Sequence, residues 1–204
     1  MTAIKVSDCE KKDLYKLLIG TVLPRPIAWI TSKSSEGLVN LAPYSAYNMV
    51  CSNPTTIVFS AGWKPPGVAK DTLRNILETK EFVVNTPRPE HIEAVALSAA
   101  PFPENVSEVE KAGLALTDSE AVGTPRLKDA VFSLECELQQ TLQVGERAPG
   151  SATLVLGTVK VFHIQDELLT DGRIDFEKVS VLSRLGGYCY GTIGEVLEQK
   201  VPEI

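Results

Sequence analysis

The chain has 204 residues, 44% apolar and 23% charged, with 26 acidic against 20 basic side chains and a net charge of −6. That length supports one domain over residues 1–204 with a substantial core, and an acidic balance without a Lys/Arg run argues against general nucleic-acid binding. No apolar stretch is long enough to span a bilayer, and the polar start MTAIKVSDCEKKDLYKLL lacks the apolar core of a signal peptide, so a cytoplasmic protein is expected.

In chain order, Leu14, Leu17 and Leu18 sit at helical spacing and predict a short helix over 8–19. Pro24 and Pro26 favour an extended chain, and Ile27–Thr31 reads as a strand. Glu36-Gly37 fits a tight turn into Leu38–Ala42, a hairpin. Tyr44–Val50 and Thr56–Ser60 read as further strands, separated by the Ser52-Asn53-Pro54 turn. Asp71 is a suitable N-cap for a helix over 71–79 whose apolar face is Leu73, Ile76 and Leu77. Phe82–Asn85 reads as a strand. Pro89 can open a second helix with Ile92, Val95 and Ala96 facing inward.

Residues 98–130 carry Pro101, Pro103 and Pro125 and read as a long surface excursion, in which Ser107 to Glu110 fits a capping box. Phe132–Gln139 shows the clearest alternation, with Phe132, Leu134, Cys136 and Leu138 inward and Ser133, Glu135, Glu137 and Gln139 wet. Gly145–Gly150 is a loop. Thr153–Ile164 is a long strand whose Leu154, Leu156, Phe162 and Ile164 share one parity. Many strands with Gly and Pro turns argue for an antiparallel barrel or sandwich; the absence of a G-x-G-x-x-G turn disfavours a Rossmann fold.

The four cysteines, Cys9, Cys51, Cys136 and Cys189, are too scattered for a CxxC pair or a zinc site, and only His91 and His163 are available beside them. They read as reduced, mostly buried thiols, and no metal is expected. The basic, polar helix entry Lys70-Asp71-Thr72, placed after a strand-rich segment, reads either as a place to hold a phosphate or, as spacing alone favours, as a plain capped surface helix with Lys70 solvated.

The stretches RPIAWITS (25–32), NLAPYSAYNMVCSNP (40–54), KDTLRNILETKEFVVN (70–85), SEVEKAGL (107–114), LGTVKVFHI (156–164) and SRLGGYCYG (183–191) together resemble the flavin reductase-like proteins of the FMN-binding split-barrel group. The resemblance implies a mainly β fold, an antiparallel Greek-key split β-barrel with a few peripheral helices. It also implies a homodimer with FMN held non-covalently near the subunit interface.

Onto this sequence it carries a cofactor site of Thr31, Ser45, Ala46, Tyr47, Asn48, Ser60, Lys70, Asp71, Thr72 and Arg184. Lys70 offers a point charge and Thr72 a hydroxyl to the phosphate, with Asp71 capping the helix and contributing through its backbone. Ser45 to Asn48 lie on the strand that runs under the flavin in this family, where backbone groups and the Asn48 amide can read the isoalloxazine edge. Ser60 can reach the ribityl chain or the phosphate. For several of these a structural role competes: Asn48 as a strand-end amide, and Arg184 with Gly186-Gly187 as a turn. Trp29 is either core or a wall of the ring, and Arg25 either a charge near the phosphate or a surface residue. His163 reads as a core or interface residue and His91 as exposed.

The implied activity is an NAD(P)H:flavin reductase passing hydride from nicotinamide to flavin N5, with NADH or NADPH as co-substrate and a partner monooxygenase as one acceptor of reduced flavin. No side chain is then required as acid, base or nucleophile, and no catalytic residue is named. Competing readings are an electron-transfer flavoprotein serving a protein partner, an FMN-dependent oxygenase of a small organic substrate with 98–130 as its lid, and a barrel that binds no flavin.

Overall fold

Alternating apolar and polar side chains build most of the molecule as one antiparallel sheet. The structure, a computed structural model, describes residues 1–65 and 67–202. Its elements are α1 (Lys11–Thr21), β1 (Arg25–Pro26), β2 (Ala28–Lys33), β3 (Val39–Tyr44), β4 (Tyr47–Ser52), β5 (Thr55–Gly62), α2 (Asp71–Thr79), β6 (Glu81–Asn85), α3 (Ile92–Leu97), α4 (Glu108–Lys111), β7 (Leu116–Thr117), β8 (Arg126–Leu127), β9 (Phe132–Val144), β10 (Ala152–Ile164), β11 (Leu169–Thr170), β12 (Arg173–Ile174), β13 (Ser183–Arg184) and β14 (Tyr190–Gly191). Seven strands join in the order β3-β2-β6-β9-β10-β5-β4, and a small sheet β1-β13-β14 ties the region before β2 to the C-terminal part.

The sheet's inner face and α2 share one core. Ala28 and Ile30 of β2, Phe59 of β5, Phe82 and Val84 of β6 and Val155 of β10 meet Leu73 and Ile76 of α2. A second core on the outer face joins Ile27, Trp29 and Leu41 to Val95, Val109 and Leu127 of the 86–131 region. The expected hairpin forms: β2 pairs with β3 around a turn in which Ser34 N–H donates to Leu38 O and Gly37 adopts φ +91°, a conformation glycine takes without steric cost.

The expected single strand 44–50 is two strands. β3 ends at Tyr44 on one edge of the sheet and β4 begins at Tyr47 on the other edge, paired with β5. Only Ser45 and Ala46 lie between them. α2 spans 71–79 as expected, but its N-cap is Lys70, and Asp71 is the first helical residue. Its carboxylate is instead clasped by Lys64 and Arg74, each at 2.8 Å. In α3, Val95 and the following Ser98 are buried while Ile92 is 40% exposed and Ala96 is exposed, so the helix is rotated from the expected face. The capping box does not form: Ser107 Oγ donates to Val39 O at 2.6 Å, and Glu108 accepts from Leu41 N at 2.9 Å, pinning α4 to β3.

In β10 the inward parity is odd, not even. Val155 is fully buried and Val159 nearly so, whereas Phe162 is 54% exposed, and bulges interrupt the register with β9 after Leu156 and Val159. In β9 the supposedly wet face is dry near its start. Ser133 and Glu135 are buried because the 98–130 excursion lies over them. Glu135 accepts from Glu120 N at 2.7 Å and Ala121 N at 2.6 Å and meets His163 Nε2 at 2.6 Å. Glu81 likewise accepts from Gly123 N and Thr124 Oγ1, both at 2.9 Å. Carboxylates on the strands, buried Glu135 and half-buried Glu81, thus satisfy donors of the loop that crosses them.

Arg25 is neither a free surface charge nor part of a phosphate site: its guanidinium donates to Ile19 O, Val22 O and Leu185 O, each at 2.7 Å, holding the end of α1 against the β13 region. No residue of α1 is buried, and Leu18 is 63% exposed. All four cysteines are free, but only Cys136 is buried, correcting the expectation that most would be. Among the described residues no helix is long and apolar enough to cross a membrane.

Two predictions follow from this packing. A Cβ on Gly157 would collide with Phe82 Cζ and lie 3.0 Å from its Cε1 and 3.3 Å from Cys136 Cβ. Gly157→Ala should therefore cost about 1–3 kcal/mol, a fall of roughly 2–12 °C in melting temperature; an unchanged melt contradicts the packing described.

The second concerns Glu135. Burial pushes its pKa up, but the Glu120 and Ala121 N–H groups and His163 outweigh that and hold it below the usual glutamate value. Its contribution to stability should be complete above the ordinary glutamate range near pH ~4.3 and vanish as pH falls through the lower folded value. Glu135→Gln should lose about 1.5–3 kcal/mol at neutral pH and show a flatter acid limb in denaturant melts. An identical pH profile in the variant would contradict it.

Candidate functional site

The start of α2, β3 and the 98–102 segment enclose a cleft of about 280 Å³ lined by Tyr44, Lys64, Lys70, Thr72, Phe102 and Glu108. Local chemistry explains each placement. Lys70 takes the extended N-cap conformation (φ −66°, ψ 152°) without a side-chain cap, leaving the first-turn N–H groups of the nine-residue α2 uncapped by it. Its ammonium is half-buried, lies 5.5 Å from the Tyr44 ring centroid, and has no carboxylate partner among the described residues. Burial, and then Lys64, lower its pKa below the usual lysine value, so the charged form is under-stabilised.

Tyr44 Oη is buried and without a hydrogen-bond partner among the described residues, and burial pushes its pKa well above the ordinary tyrosine range. Thr72 is 1% exposed and accepts from Asn40 Nδ2 at 2.9 Å. Asp71 sits at the rim in its Lys64–Arg74 clasp. Burial alone would raise its pKa, but the two cations hold it below the usual aspartate value. Glu108, buried on the far wall, has its pKa raised by desolvation.

The cleft therefore offers an unpaired ammonium, an orphaned hydroxyl and free helix N–H groups, the donor set an acceptor-rich anion needs. A phosphate monoester fits it. The volume is just under the roughly 300–1,000 Å³ of pockets that bury a whole drug-sized ligand, so it suits one end of a cofactor.

The structure brings Lys70, Asp71 and Thr72 together here and places the other expected residues elsewhere. Ser45 Oγ accepts from Arg25 Nε at 3.3 Å. Ala46 is exposed and its carbonyl accepts from Ser60 N at 2.9 Å, so these two meet at the gap between the sheet edges. Asn48 is exposed on β4, its side-chain oxygen accepting from Met49 N at 2.8 Å.

Two of the expected residues turn their side chains away from the cleft. Thr31 is fully buried on the outer face, its hydroxyl donating to Pro125 O at 2.7 Å and accepting from Asn85 Nδ2 at 3.2 Å, so its side chain does not face the cleft. Tyr47 packs its ring against the inner core, with its pKa pushed up to about 12 by burial, and its side chain does not line the cleft.

Arg184 stacks over the Tyr190 ring at 4.4 Å and donates to Gly187 O, opposite Arg25 in the β1–β13 register and outside the cleft. Trp29 is core, fully buried, with Nε1 donating to Ser98 Oγ at 2.8 Å. His91 is half-buried, not exposed, and its Nδ1 accepts from Arg88 N at 3.2 Å.

Asn40, Tyr44 and Glu108 were not singled out from sequence. Asn40, Ala42 and Tyr44 alternate along β3, so one face of that strand presents all three; a parity argument over NLAPY would have found them. Glu108 was hidden behind the capping-box reading of its segment.

The chain is similar to known proteins over most of its length. A protein of Halalkalibacterium halodurans is 43% identical over 195 residues, 95% of this chain and 93% of its own, and one of Bacillus subtilis is 38% identical over 199 residues, 96% of each chain. Among solved structures, nitrilotriacetate monooxygenase component B from Bacillus cereus superposes with a TM-score of 0.92 at 39% identity over 98% of both chains. Pseudomonas fluorescens 2-nitrobenzoate 2-nitroreductase NbaA gives 0.88 at 33% identity over 98% of this chain and 96% of its own. The fold is also that of the split-barrel proteins, one from Shewanella frigidimarina superposing with a TM-score of 0.85 at 20% identity. Residues 19–180 match the flavin reductase like domain, and the chain belongs to that family.

Proposed function

We propose that this protein is an FMN-binding oxidoreductase that acts as an NAD(P)H:flavin reductase. The observation that carries the reading is the cleft at the start of α2, where the unpaired Lys70 ammonium, the orphaned Tyr44 hydroxyl and the uncapped helix N-terminus converge. The family membership and the likeness to a monooxygenase component support it.

In this reading Lys70, Thr72 and the first N–H groups of α2 hold the FMN phosphate. Asp71 acts indirectly, by tethering Lys64 and Arg74 at the rim. Ser45, Ala46, Asn48 and Ser60 at the gap between β3 and β4 supply polar contacts to the polyol and ring edge, and Arg184 completes the site from the C-terminal side of a homodimer. The chemistry that FMN supplies when bound is acceptance of hydride at N5 and its onward delivery. The chain's own groups bind, orient and exclude water, and no acid or base is assigned among them. A single domain, a cytoplasmic setting and a partner monooxygenase that consumes the reduced flavin belong to the same reading.

A second reading has support in the 33% identity to a 2-nitrobenzoate 2-nitroreductase: retained flavin that reduces a small organic acceptor directly.

Purified protein should be yellow, or become so with FMN, and should bleach on anaerobic addition of NADH or NADPH. Bleaching followed by rapid turnover of added free flavin supports the reductase; bleaching without it supports retained flavin and the second reading. Protein that binds no FMN would sink both. Lys70→Ala should weaken FMN binding by roughly one to two decades, since a charge-assisted contact contributes about 1.5–3 kcal/mol, and should not lower the melting temperature of the flavin-free protein. FMN titrations that match the parent would misplace the phosphate.

A further inference from the structure

A second donor-lined cavity, of about 260 Å³, opens between β8, the turn after it and the end of β10. It shares no lining residue with the Lys70 cleft. Hydrogen-bond accounting separates its spent groups from its free ones. Gln165 accepts from Arg88 and donates Nε2 to Ala130 O at 3.0 Å. Ser133 Oγ donates to Asn85 Oδ1 at 3.0 Å.

Arg126, Lys128 and His163 remain. Arg126 Nε is buried with no partner among the described residues, and no hydrogen bond or ion pair to the Arg126 or Lys128 side chain is present among them. His163 is fixed differently. Its Nε2 meets the buried Glu135 at 2.6 Å, and both Glu135 oxygens already receive loop N–H groups. The negative charge behind the histidine is thereby engaged, and no other carboxylate lines the cavity.

We propose that Arg126, Lys128 and His163 form a binding site for an oxyanion of the phosphate class. The free groups come from separate elements and are predominantly donors, so the ligand must be rich in acceptors. A planar arginine fork beside a lysine point charge is the combination that suits phosphate oxygens. At ~30 Å³ per water the cavity holds about eight waters, more than a bare ion occupies, which favours a phosphate monoester whose organic part fills the remainder. A buried, orphaned arginine donor is costly in an empty protein, and an anion removes that cost. The inference does not rest on flavin binding at the Lys70 cleft.

The chain has only two histidines, so nitrogen-resolved NMR of the imidazole rings reads this site directly. Inorganic phosphate, titrated at fixed pH and ionic strength against chloride, should shift the His163 ring saturably. The shift should persist in Lys70→Ala and need at least tenfold more phosphate in Arg126→Gln. Because Arg126 Nε has no partner to lose, that variant should melt no lower than the parent; should it fail to fold, Lys128→Gln, at an exposed position, carries the same expectation.

Adenosine 5′-monophosphate, with adenosine as control, separates the sources in the Lys70→Ala background. Saturation at tenfold lower concentration than inorganic phosphate assigns the ester, and equal saturation assigns the free ion; both uphold the oxyanion site. No saturable His163 shift in the parent, or an unchanged one in a folded Arg126→Gln or Lys128→Gln, overturns it.

Discussion

Ser45 and Ala46 carry the chain from one edge of the seven-stranded sheet to the other, and that short step constrains much of what surrounds it. β3 and β4 are consecutive in sequence yet sit at opposite ends of the strand order. The three steps from Tyr44 to Tyr47 reach only about 10–11 Å, so the two edges must curl toward each other. The Ser60 N–H to Ala46 O bond and Arg25 to Ser45 fasten the step on either side. With the edges brought together, Tyr44 and Tyr47 both turn into the inner core, and α2 covers that core with Leu73 and Ile76. The cleft then lies where the end of β3 meets the start of α2. A gap between strand edges leaves polar backbone uncommitted, which suits it to a ligand with donors and acceptors on its rim.

The second constraint is electrostatic. The chain lays a long irregular segment over its sheet, and such a segment carries backbone donors that need partners once buried. Glu81 and Glu135 supply them from the strands beneath, and Glu108 of α4 accepts in return from Leu41 N of β3. This reverses the usual reading of acidic residues on an alternating strand as solvent-facing. No carboxylate lines the Arg126–Lys128 cavity, and in the Lys70 cleft Asp71 is tied to Lys64 and Arg74 while Glu108 accepts from Leu41 N.

Much of the fold was legible in the sequence. The hairpin at Gly37, the limits of α2 and the existence of β5, β6, β9 and β10 follow from period-2 and period-3.6 patterns and from turn residues. What was not legible depended on tertiary cover. The wet face assigned to Ser133 and Glu135 was dry because a segment distant in sequence folds over it. The buried parity of β10 was not legible because Leu154 and Leu156 are large and apolar yet only half-buried. Gly157, just after them, is the residue that marks the packed side, since Phe82 occupies the space a side chain would need. At the site, the Lys70–Thr72 entry was legible from its residue types. Thr31 and Tyr47 turn their side chains away from the cleft, which the motif could not say because it locates a strand without saying which face each side chain takes.

The central claim is that the Lys70 cleft receives a phosphate attached to a flavin. Comparing the affinities of FMN and riboflavin, which differ only in that phosphate, tests it most directly. The account predicts that FMN binds at least tenfold more tightly than riboflavin in the parent protein, and that Lys70→Ala closes most of the gap by weakening FMN alone. Equal affinities in the parent, or a gap that survives the substitution intact, would contradict it.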